Sequence, residues 1–126
     1  MFNREYPPHI SELNARRTRI SSIKILVSEI GSYEILEKIH RGDVICLREM
    51  YKKEIPYATD ANFKTFLEHT KKPTEEELSQ MRICINTKYS NLLDTSLYEA
   101  QLLTTEKLKE RLRTKVNELE KQLKEM

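Results

Sequence analysis

The chain is predicted to be all-α, with short N-terminal helices forming a small helical head and then a long C-terminal helix of coiled-coil character. Three observations carry that prediction. Glycine and proline are scarce, two and four among 126 residues, which suits long helices joined by few turns better than many short strands. Apolar residues recur at steps of three and four through most of the chain. Charged residues reach 33% against 38% hydrophobic, a thin apolar supply that favours helices completing their cores against a partner.

Residues 1–10, containing Tyr6-Pro7-Pro8, read as an extended arm, because adjacent prolines fix φ and remove two donors. Ser11 is suited to be an N-cap, with the Glu12 carboxylate just inside the positive helix end. Leu13, Ile20, Ile23, Val27 and Ile30 continue at helical spacing up to Gly31, which is placed to stop the helix. The first helix thus covers 11–30, with a strand inside residues 23–27 left open by their β-branched content.

Ser32 can cap a short second helix through Ile35, Leu36 and Ile39, ended by Gly42. Asp43 starts a third, carrying Val44, Ile45, Leu47, Met50 and Tyr51 up to Pro56. A loop over 54–59 follows, and Asp60 opens a fourth helix with Phe63, Phe66 and Leu67 on one face, closed before Pro73. These elements make a helical head over 11–72. Thr74-Glu75-Glu76-Glu77 is a capping box, in which the hydroxyl accepts from the third helical amide and Glu77 reaches back. Neither proline nor glycine follows, so 74–126 reads as one long helix, or as a helical pair broken at Asp94-Thr95-Ser96, ending in a coiled coil.

The C-terminal stretch carries the strongest pattern. Leu112, Val116, Leu119, Leu123 and Met126 step by four, three, four and three, the heptad seam of a left-handed coiled coil. Extended backwards, this frame places Tyr98 and Leu102 in the seam, with Thr105 and Lys109 weakening its middle. A second frame, Leu93, Leu97, Ala100, Thr104 and Leu108, joins the first through a stutter. In a parallel dimer Lys115 would face Glu120 of the partner, and Glu120 to Lys124 is a favourable pair within one chain. Three outcomes are open for the seam: a homotypic coiled coil, pairing with another helical protein, or folding back on the chain's own N-terminal helices.

Chemistry is harder to find. The imidazoles are His9, His40 and His69, and no Cys-x-x-Cys or His-Glu-x-x-His spacing occurs. Cys46 and Cys84 each sit beside isoleucine or leucine and read as reduced core residues. Gly31 and Gly42 stand alone, which does not make a phosphate-cradling loop. Arg41-Gly42-Asp43 reads as a helix stop followed by a cap. No catalytic residue, metal, cofactor or small-molecule substrate is therefore expected. No apolar run approaches the length of about 20 residues that a membrane span needs, and no signal peptide is evident, so the expected location is intracellular, cytoplasmic or nuclear.

A net charge of +2 does not by itself announce a nucleic-acid partner. Locally, however, Arg16, Arg17, Arg19 and Lys24 cluster on the first helix, and doubling in a dimer would allow several phosphates to be neutralised. The sequence thus points to a non-enzymatic helical assembly or adaptor protein, a small subunit of a larger complex, associating through Leu112, Val116, Leu119, Leu123 and Met126. The alternative is a dimeric nucleic-acid-associated regulator that uses the basic cluster.

Overall fold

Proline in the first turn of a helix costs nothing, because its missing N–H would be unsatisfied there and its fixed φ suits the helix. The first helix uses this freedom. In the computed structural model, which describes residues 8–125, α1 runs from Pro8 to Arg41 and is 34 residues long. It starts inside the segment expected to be an extended arm, and the rest of that segment lies outside the described residues. Ser11 therefore falls within α1 instead of capping it.

The expected stop at Gly31 is absent as well. Glycine inside a helix costs about 1 kcal/mol relative to alanine. On either side, Ile30 and Tyr33 are 0% and 7% exposed, and burying such a side chain returns about 2 kcal/mol. Burial outweighs propensity, so the helix continues. It ends at Gly42, where φ is +72°. The Gly42 amide donates to Ile39 and the Asp43 amide to Lys38, each at 3.1 Å, the bonding of a Schellman turn.

Asp43 then caps α2 (Val44–Glu54), its carboxylate accepting from the Cys46 amide at 3.1 Å. Thr59 caps α3 (Asp60–His69) in a box completed by Asn62. Thr74 accepts from the Glu77 amide at 3.1 Å as α4 (Glu75–Leu93) begins, with the Glu77 carboxylate returning to the threonine hydroxyl. The long C-terminal helix is resolved into three, with breaks at 94–96 and 103–104. Ser96 caps α5 (Leu97–Leu102) and Thr104 caps α6 (Thr105–Lys124). The expected arrangement of short helices followed by one long one is thus corrected: the longest helix is N-terminal. Among the described residues there is no strand, and 23–27 are helical.

The chain forms two compact units, which divide it inside α1 and α4. The first comprises the chain up to Ile30 together with Ile85 onward. Its core holds Ile20, Ile23, Leu26 and Ile30 of α1, Ile85 and Tyr89 of α4, Ala100 of α5, and Leu108, Leu112, Val116 and Leu119 of α6. Lys88 pairs with Glu29 at 2.9 Å, and Lys24 with Glu120 at 3.4 Å.

The second unit is contiguous, Gly31–Cys84. Tyr33, Leu47, Phe63 and Leu78 are buried in it. The Tyr51 ring lies 5.5 Å from that of Phe63 and 5.1 Å from that of Phe66. The His40 Nδ1 is 2.8 Å from the Pro73 carbonyl oxygen, and because a carbonyl only accepts, this nitrogen carries the proton. Asp60 at the start of α3 is paired with Arg48 and, at 3.4 Å, with Lys52, both on α2.

Candidate functional site

The C-terminal seam is where association was expected. Leu108 and Leu112 are fully buried, and Val116 and Leu119 are 8% and 3% exposed, all within the first unit of a single chain. The spacing four, four, three along these residues follows the stutter and then the heptad, so the pattern marks the buried face of α6 correctly. Leu123 is half-buried, and Met126 lies outside the described residues. The charges around the seam also find partners within the chain. Glu120 pairs with Lys24 and Lys115 with Glu118 at 3.5 Å, in place of the arrangement drawn for a parallel dimer.

Beneath α6 lies Tyr89, wholly buried, whose hydroxyl lacks a hydrogen-bond partner, as does the Asn86 Oδ1 one turn earlier. Burial pushes the Tyr89 phenol above its ordinary value. The Arg111 guanidinium, paired with Glu99 at 3.2 Å, is close enough to oppose that shift without standing in hydrogen-bond geometry.

The basic cluster disperses. Arg19 turns toward the end of α4, donating through Nε to the Leu92 carbonyl at 3.1 Å and through Nη2 to the same oxygen. Its guanidinium also lies 3.7 Å from the Asp94 carboxylate. Lys24 is tied to Glu120, Arg16 is half-buried and Arg17 is exposed. Arg19 and Lys24 thus each hold a partner within the first unit.

The first unit also leaves apolar side chains in solvent. Tyr98 and Leu102 are 71% and 68% exposed, and their spacing of four puts them on one face of α5. Leu97 and Ile25 are also exposed. Ile25 borders an open cleft of about 340 Å³ between α1 and α4, floored by Leu26 and Leu92 and crossed by the Glu29–Lys88 ion pair. Tyr98 and Leu102 belong to the heptad frame in sequence, but the break at 103–104 separates them from the α6 seam. Sequence reasoning placed them in a buried stripe, and the cap signal at Thr104 was the clue to their separation. In the second unit Val44, Ile45, Tyr57 and Ile83 are exposed.

The reactive residue types do not converge. Among the described residues, no group of three or more His, Cys, Asp or Glu side chains is placed to hold a metal ion. Cys46 is half-buried and Cys84 exposed, so the expectation that both thiols pack in the core is corrected. Cys84 lies on α4 with its thiol exposed. The His40 imidazole is engaged with Pro73. No helix of the described residues is long and apolar enough to cross a membrane. No family model matches the chain, and searches of curated proteins and of solved structures find no significant match.

Proposed function

We propose that the protein is a non-enzymatic helical assembly or adaptor protein, a small subunit of a larger complex, which works by binding another helical protein or a second copy of itself. One observation carries this reading: Tyr98 and Leu102 stand side by side on α5, both more than two-thirds exposed. A tyrosine and a leucine held together in solvent lose most by staying wet, and aromatic residues are enriched where proteins meet. The association surface therefore moves from Leu112, Val116 and Leu119 to the residues just ahead of them in the same heptad frame. Leu123, half-buried near the end of α6, remains available to contribute. An intracellular location suits the exposed thiol of Cys84, which reducing compartments keep free.

Sedimentation velocity over a wide concentration range tests the homotypic form. The expected result is a concentration-dependent increase in mass, abolished by Tyr98→Asp with Leu102→Asp while helical content is kept. A chain that stays monomeric throughout refutes self-association. A double variant that associates like the wild type removes α5 from the interface.

A further inference from the structure

A helix that ends without glycine needs another reason to end. Asp94 is the only non-glycine residue with positive φ among the described residues, at +53°. In that region the side chain of an L-residue crowds its own backbone, which is why glycine usually stands there. The turn shares one bond pattern with the one at Gly42: the Thr95 amide donates to the Ser90 carbonyl at 3.0 Å, the long bond of a Schellman turn. A second cost lies beside it, since the Thr95 Oγ1 is buried without a hydrogen-bond partner. Were the helix to continue, that hydroxyl could return to the carbonyl four residues earlier. Neither proline nor glycine between residues 93 and 104 forbids continuation.

Against these costs stand the Ser90 hydroxyl, which donates to the Thr95 carbonyl, the Ser96 cap of α5, and Arg19. Arg19 binds the carbonyl that the turn leaves open at Leu92 and the carboxylate of the strained residue itself. A cation at a helix C-terminus also meets the negative end of the helix dipole. We propose that the α4–α5 junction is a two-state hinge and that Arg19 is the latch that holds it broken. With the latch in place, α4 stops at Leu93 and Ala100 is fully buried. Without it, the open state gains population by the worth of the latch: there residues 94–96 are helical, α5 extends along the axis of α4, Ala100 leaves its site, and α6 is drawn off the core. The seam of Leu108, Leu112 and Leu119 is then available to a partner helix. The hinge itself does not depend on what the α5 face binds.

Amide hydrogen exchange and backbone carbon shifts of the full chain test this. In Arg19→Ala, amides of Ala100, Leu108 and Leu112 should exchange faster by about tenfold or more, the value of a lost charge-assisted hydrogen bond. The shifts of residues 94–96 should move toward helix, while Leu47 and Phe63 in the second unit keep their wild-type rates. Adding Asp94→Gly to Arg19→Ala should restore slow exchange, because glycine accepts positive φ without the latch. A general packing defect would not be repaired in this way. Unchanged exchange in Arg19→Ala, faster exchange with 94–96 still non-helical, or failure of Asp94→Gly to rescue would each overturn the proposal.

Discussion

Replacing Leu112 by alanine separates a seam used inside one chain from a seam used between chains. Leu112 is fully buried in the first unit without any second molecule. Truncating such a leucine loses its transfer free energy and leaves a cavity that neighbours fill only in part, together about 3 kcal/mol within a range of 2–5. For a chain of this length each kcal/mol lowers Tm by about 4 °C, so the expected fall is about 12 °C. Leu102, 68% exposed, provides the control: its alanine variant should stay within about 0.5 kcal/mol, or about 2 °C. Thermal melts followed by circular dichroism at two well-separated protein concentrations supply the assay. If the burial is intramolecular, the loss for Leu112→Ala is the same at both. A loss below about 1 kcal/mol, or a wild-type Tm that climbs with concentration until the variant removes the dependence, would refute this reasoning.

The two glycines give opposite signs in the same experiment. Gly31 is helical and an added Cβ meets nothing within 4 Å, so Gly31→Ala should stabilise by about 0.5–1 kcal/mol. Gly42 is just as open, but its φ of +72° makes Gly42→Ala destabilising by about 1 kcal/mol or more. Asp60 predicts a pH response: hydrogen bonds from Arg48 and Lys52 hold its carboxyl below the ordinary 3.8. Its contribution is therefore present above 3.8 and fades as the pH falls through the lower folded value. An NMR titration of the carboxyl carbon should show a midpoint below 3.8 that moves back up in Arg48→Ala.

Local grammar was most legible where side chain and backbone ask for the same thing. Gly42 followed by Asp43 was read correctly as stop and cap, because a left-handed residue and an acceptor for the next helix lie together. Gly31 followed by Ser32 is likewise a glycine and then a capping residue but makes no break, since Ile30 and Tyr33 are both buried by a helix that continues. The apolar stripe of α6 was visible, stutter included, but a stripe records that a face is covered and not by what. The cover turned out to lie in the same chain, and the cue was distant: Lys24 opposite Glu120. Arg19 left no trace in the pattern. Its work is done on a backbone carbonyl, which every residue has, so only the folded chain pairs it with Leu92.

The noncontiguous make-up of the first unit bears on how the molecule comes into being. The second unit is one unbroken stretch, Gly31–Cys84, and can settle as soon as it emerges from the ribosome. Residues up to Ile30 must wait, because the rest of their unit begins at Ile85. During that interval the row of apolar side chains along α1 is on offer to chaperones. Contacts so far apart in sequence form slowly, which makes the docking of α6 the step that completes the first unit.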